Sequence, residues 1–405
     1  MSGAAAPLAF DPALIGPLHG TRVLDLSRLV AGNMLSLQLA DFGADVVKIE
    51  PPGGDPLRAW KDSGKSLFWK VYGRNKRSVM LDLRAPPAMA ALWRLIDTAD
   101  VFIENYRPGT LEEMGLAPAT LLARNPGLIV VRVSGFGQTG PYARMPGFGT
   151  LVEAMSGFAY RTGFPDREPV LPPLALADMI AGLYGASAVS TALYARLAGR
   201  AAGQVIDLSL LEPIFSVLGP EAAIYKLTGT VKERMGNSSN TSCPRNVYAC
   251  ADGRFLALSG STQAMAERIF RVIGRADMID DPRFATNSAR LAHREAVDAA
   301  IGGWFAARDS AEALHIMREA GATVAPIYSI VEAASDPHFT ERGVIVDLED
   351  ADFGCVPMHA IIPRLSATPG GFRLPAPALG ADTEAVLREA GLGAEEISEA
   401  RGAQT

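Results

Sequence analysis

Cysteine and histidine are scarce in this 405-residue chain, three of one and five of the other. Cys243, Cys250 and Cys355 lack C-x-x-C spacing and are odd in number, which argues against a disulfide framework and a thiolate zinc site and suits a reducing cytoplasm. His19, His293, His315, His338 and His359 are scattered, mostly in polar segments, without the clustering a metal site requires, so no metal is expected. The dinucleotide fingerprint G-x-G-x-x-G is missing. In SRLVAGNMLSL only Gly32 stands in the turn, although Glu50 ends a strand where a ribose-binding acid would sit. The hydrolase elbow G-x-S-x-G fails because Arg132 replaces its first glycine in VRVSGFG, and no P-loop is present. An excess of positive charge is lacking too: the net charge is -6, which excludes a general nucleic-acid binder. The uncharged stretch Met179 to Tyr194, which ends just before Arg196, is shorter than the roughly 20 residues a membrane span needs. The N-terminus has no basic segment followed by an apolar core, so neither a secretory signal nor a membrane partner is expected.

What is present is an ordinary globular composition, 48% hydrophobic and 20% charged, on a chain long enough for two cores. Buried-strand text alternates with helical text from Thr21 onward: TRVLDLS, ADVVKIE, RSVMLDL, ADVFIENY and GLIVVRVSGFG are strands, with helices over MLSLQLADFG, Pro86 to Thr98 and Leu111 to Arg124. This pattern predicts an α/β domain with a mainly parallel sheet and ligand sites at the carboxyl ends of its strands. The periodicity changes after Gly203, and residues 229–329 read as a second domain. In it NVYACADGRFLALSG is a hairpin turning at Asp252-Gly253, a pair suited to a type I′ turn. Strand-like GVIVDLED and a last helix, Thr383 to Ala390, follow.

The stretch LPPLALADMIAGLYGASAVSTALYARLAG predicts a long apolar helix that opens near Asp178 and carries no further charge until Arg196. By itself such an acid is a cap or first-turn residue, favoured by unpaired N–H groups and the helix dipole. The alternative is a nucleophile. Glycines follow the fifth strand closely, Gly135, Gly137 and Gly140, then Gly147 and Gly149; they would let a ligand approach the backbone, and tight turns would account for them equally.

Several stretches resemble one known family in matching order: VLDLSRLVAGNMLSLQLADFGADVVKIEPPGGDPLR, GRNKRSVMLDLR, ADVFIENYRPGTLEEMGL, NPGLIVVRVSGFGQTGPYA, LADMIAGLYGASAVSTALYARLAGRAAGQVIDLSLLE and APALGADTEAVLREAGL. The family is the class III CoA-transferases, CaiB/BaiF or formyl-CoA transferase-like proteins. The resemblance implies that Asp178 is the nucleophile. It would attack an acyl-CoA thioester, give a mixed anhydride and free CoA thiolate, and then become an aspartyl-CoA thioester that passes CoA to an incoming carboxylic acid. It implies coenzyme A contacts at Val30, Ala31, Leu81, Arg84, Asn105, Tyr106, Arg107, Ser134, Gly135, Phe136 and Gly137, with the two guanidiniums of Arg84 and Arg107 meeting phosphates. It also implies a Rossmann-like large domain, made of residues 1–228 and 330–405, a smaller α+β domain over 229–329, and an interlocked homodimer. A mobile glycine loop of the family falls on GNSSN around Gly236.

Departures from the family pattern bear on function. Pro51 and Glu113 stand where phosphate-binding arginines are usual, Asn33 replaces a proline, and Val30 occupies the place of an acyl-contacting glutamine, which argues against oxalate as acceptor. Arg58, Arg161 and Arg245 are candidates to clamp the second carboxylate of a dicarboxylic acid, and surface salt bridges explain them equally. Two other readings stay open. One is a 2-methylacyl-CoA racemase, whose GHD-like histidine is absent from Gly147-Phe148-Gly149. The other is a silent CoA-ester binding protein.

Overall fold

Runs of β-branched and aliphatic residues make up five of the six strands of the main sheet. The computed structural model describes residues 6–402. The strands are β1 (Arg22–Asp25), β2 (Asp45–Glu50), β3 (Lys76–Met80), β4 (Val101–Glu104), β5 (Ile129–Ser134) and β6 (Gln204–Ser209), all parallel, in the order β3-β2-β1-β4-β5-β6. Successive side chains enter opposite cores. Val23, Val101 and Ile103 face one apolar cluster and Leu24 and Phe102 the other, because a strand buried on both faces sends alternate side chains into each core.

Helix α1 (Ala31–Asp41) and a 22-residue helix, labelled α3 below, cover one face; the helices Pro86–Ile96, Thr383–Glu389 and Ala394–Arg401 cover the other. Between α1 and the long helix lies α2 (Gly149–Met155), and α3 spans Leu176–Leu197. The helix α3 lies close on α1 because Gly182 and Gly185 present no side chain to Met34 and Leu35. By length and composition α3 could cross a membrane, since the helix extends beyond the uncharged run at both ends; a third of it is buried within the chain.

Two compact units divide the chain. The first takes the residues up to Phe158, Pro172–Gly219, and those from Arg342 onward; the second takes Ala159–Leu171 and Pro220–Glu341. The expected limits at 229 and 329 thus lie inside the second unit, which also includes a segment assigned above to the large domain. The second unit holds an antiparallel sheet of β7 (Arg245–Ala249), β8 (Phe255–Ser259) and β9 (Val324–Pro326), with helices packed around Tyr248, Phe270 and Phe305.

Three local expectations are corrected. The helix expected over Leu111 to Arg124 is two, Thr110–Glu113 and Pro118–Arg124, because Gly115 turns left-handed (φ 75) and Pro118 starts a new helix. The β7–β8 turn is not type I′. Only Gly253 has positive φ, the Gly253 N–H donates to the Cys250 carbonyl, and the Cys250 N–H to that of Arg254, which is a wider turn closed by a left-handed glycine. The tail carries a further helix, Ala394–Arg401, beyond the one expected.

Candidate active site

The strand order reverses between β1 and β4, and in a doubly wound sheet that reversal opens a crevice beyond the carboxyl ends. Two cavities of the first unit are lined by the segments leaving those ends. One, of about 650 Å3, is lined by Glu50, Pro51, Leu81 and Arg84 among others. The second, of about 340 Å3, is lined by Ala31, Asn105, Arg107, Ser134, Gly135 and Asp178. Arg28 and Tyr106 line both, so they stand where the two meet.

Eight of the residues expected to meet coenzyme A therefore line these cavities, and three do not. Val30 is buried beside Leu57 and Trp69. Phe136 stacks edge-on against Tyr142, and Gly137 makes a left-handed turn (φ 89) whose N–H donates to the Ser134 hydroxyl. Arg84 is largely exposed and forked onto Asp82 at 2.7 Å, so a phosphate must compete with that carboxylate. Asn105 works as a strap across the strand reversal. Its side-chain oxygen accepts the Arg28 N–H (2.9 Å) and its amide donates to the Arg28 carbonyl (2.8 Å).

Asp178 is the third residue of α3 and makes no side-chain cap, so the cap expectation gives way to a first-turn acid. Its carboxylate is half-buried and has no ion pair among the described residues. Burial, and then the like charge of Glu153, push its pKa up to about 6. Glycines shape its surroundings by close approach. Gly135 and Gly147 lie backbone against backbone, a Cβ on Gly135 coming within 2.7 Å of the Gly147 Cα, and a Cβ on Gly149 would overlap the Oδ2 of Asp178. Gly149→Ala should therefore displace the carboxylate and lower kcat tenfold or more. Alanine favours helix by roughly 1 kcal/mol over glycine, so the unfolding midpoint should hold. Steady-state kinetics beside a urea melt checks both.

Arg58 is removed as a substrate clamp. It pairs with Glu50 (2.7 and 2.8 Å), donates to the Pro377 carbonyl and stacks over Trp69. Arg161 and Arg245 belong to the second unit, where they hold Asn240 and the carbonyls of Asn237 and Ser238, the loop after Gly236. Two residues escaped the sequence reading. Arg28, over the Tyr106 ring and without an ion pair among the described residues, was marked only by its place directly after the first strand. Glu153 was marked only as the one charge in GTLVEAM.

The family model described as CoA-transferase family III matches residues 18–383. A succinyl-CoA–D-citramalate CoA-transferase of Chloroflexus aurantiacus is 42% identical over 368 residues, covering 90% of this chain and 91% of that protein. A succinate–glutarate CoA-transferase of Agrobacterium fabrum is 38% identical, covering 92% and 95%. The crystal structure of a CaiB/BaiF family protein from Brucella suis superposes with a TM-score of 0.81 at 32% identity, over 93% of this chain and all of that one.

Proposed function

The chain belongs to CoA-transferase family III, and we propose that it moves CoA between dicarboxylic acids through a covalent intermediate on Asp178. The observation that carries this reading is the Asp178 carboxylate itself: half-buried, without an ion pair among the described residues, at the wall of a cavity beyond a parallel sheet. A carboxylate is a weak nucleophile in water; desolvation and a raised pKa make it a better one. One Asp178 oxygen attacks the thioester carbonyl of the donor, and the tetrahedral adduct expels CoA as thiolate, leaving a mixed anhydride. The thiolate then attacks the Asp178 carbonyl and releases the donor acid, which leaves an aspartyl-CoA thioester. The acceptor's carboxylate attacks that thioester and the same two steps run in reverse. Each adduct develops an oxyanion, and the bare backbones of Gly135 and Gly147 on the cavity wall are the donors assigned to it.

The acids in the relatives' names, D-citramalate, L-malate and glutarate, all carry a second carboxylate. Arg28, which shares the cavity with Asp178 and makes no ion pair among the described residues, is assigned to it. The enzyme then works as a cytoplasmic, interlocked homodimer of large and small domains, as its resemblance to the family implies. The test is a transfer assay from succinyl-CoA to four- and five-carbon acids with one or two carboxylates. The diacids should be preferred at least a hundredfold in kcat/KM, and Arg28→Met should erase about tenfold or more of that preference, the worth of one charge-assisted bond. Equal use of monoacids would contradict the reading.

A further inference from the structure

Glu153 is a buried carboxylate (2% exposed) with no cation paired to it among the described residues. It lies one helical turn after Gly149 on α2, and α2 packs against α3. Its Oε1 accepts the N–H of Ala177 at 3.0 Å. Ala177 is the second residue of α3, so its N–H is one of those a helix start leaves without an intrahelical acceptor. The residue after it is Asp178. Two carboxylates thus serve one helix start, one on the amide of Ala177 and one at the cavity, and neither has an ion pair among the described residues. If capping were the whole purpose, glutamine would accept the same hydrogen bond without the repulsion. Replacing the charge is chemically simple, and its presence beside Asp178 calls for a reason in the chemistry.

We infer that Glu153 is a positioning residue for the nucleophile: it locks the start of α3 through Ala177 and faces Asp178 with a like charge that leaves the Asp178 oxygens free to react. The inference rests on the reading of Asp178 as nucleophile. Among the described residues of the elements packed against α3, no other charge competes for the role. Among groups on the elements packed against α3, Asp41 of α1 is held by Arg74, Arg132 of β5 by Glu104 and Glu112, and Asp207 of β6 accepts the Gln138 N–H. Glu212, after β6, accepts the Ser209 hydroxyl. Arg28 and Arg107 share the cavity with Asp178 and belong to the segments after β1 and β4. Burial is the larger cause of the raised Asp178 pKa, and Glu153 is the charge that adds to it.

Glu153→Gln keeps the shape and the acceptor and removes the charge, whereas Glu153→Ala removes both. In Glu153→Gln the acidic limb of the kcat/KM–pH profile should move down by about half a unit or more and kcat should fall severalfold, while Asp178 can still be trapped by hydroxylamine after incubation with succinyl-CoA. Glu153→Ala should lose a further tenfold in kcat, because the helix start is no longer held. An unmoved pH limb and wild-type kcat in Glu153→Gln would overturn the inference and leave Glu153 a plain cap. That readout does not depend on whether the alanine variant folds. Failure of the wild-type enzyme to label at Asp178 would instead remove the nucleophile reading, and this inference with it. Labelling with an unmoved limb removes this inference alone.

Discussion

Asp178→Asn is expected to lower kcat by about 10^3-fold or more and at the same time to stabilise the first unit at neutral pH. The loss follows from chemistry: an amide cannot attack a thioester to form an anhydride, and removal of a covalent nucleophile leaves only binding and oxyanion stabilisation. The gain follows from linkage. The folded pKa of Asp178 is raised from 3.8 to about 6, so the unfolded chain gives up its proton first. Between those values the folded state binds the extra proton, and stability falls as pH rises. Above pH 6 the folded protein carries the full cost of an unfavourable charge, on the order of 1–2 kcal/mol once discounted for partial exposure. Asparagine removes that cost, so the urea midpoint of the variant should exceed wild type at pH 7 and match it near pH 4. In the wild-type enzyme the same titration should appear as an acid limb in kcat/KM, activity falling below about pH 6 as the nucleophile is protonated.

The second large effect lies under the cavities. Lys48→Met is expected to destabilise the first unit by about 3–5 kcal/mol, since removing one partner of a buried ion pair strands the others. Lys48 is fully buried in β2, with its ammonium 3.2 Å from Asp25 and 3.1 Å from Asp55, and it also donates to the Ser27 carbonyl. Burial alone would lower its pKa, yet Asp25, Asp55 and Glu50 together hold it above 10.5. Its contribution is therefore fully present at pH 7 and is lost only when the pH climbs past that raised value. Lys76, equally buried, makes the contrast. It lies 3.8 Å from Asp25, donates to the side chain and carbonyl of Asn33, and burial pushes its pKa down to about 7. A lysine already half neutral is cheap to replace, so Lys76→Met should cost about 1 kcal/mol at pH 7.5. Urea unfolding of both variants checks the ordering; equal losses would contradict the assignment of the charge to Lys48. This cluster also fixes the first cavity's floor. Asp55 accepts the Leu29 and Leu57 N–H groups and the Asn33 amide, tying the segments after β1 and β2 together.

The sheet was legible in the sequence because strands buried on both faces are rich in consecutive apolar residues, and β1, β2, β4 and β5 fall on the segments expected. Helices failed where a single backbone position decided the matter. The left-handed Gly115 divides one expected helix into two, and the short, acidic Ala394–Arg401 shows little apolar periodicity to mark it. Asp178 was visible as the lone charge of a long apolar helix, but spacing did not distinguish a cap from a nucleophile, and the nucleophile reading came only from the resemblance to a family. Arg58 stayed open between a substrate clamp and a salt bridge because its partners, Glu50 and the Pro377 carbonyl, include a residue more than three hundred positions away. Glu153 and Arg28 were illegible for the same reason. Their meaning lies in what they touch, the Ala177 amide in one case and the Asn105 strap and Tyr106 ring in the other.

The most direct measurement of the central claim is chemical trapping. The enzyme is incubated with succinyl-CoA without acceptor, treated with hydroxylamine, digested, and the peptide spanning Asp178 read by mass spectrometry. The account predicts a hydroxamate on Asp178 and on no other carboxylate, proportional loss of transferase activity, and no modification when CoA alone is supplied. An enzyme that transfers CoA at full rate while Asp178 stays unmodified, or that labels Glu153 in its place, would contradict it.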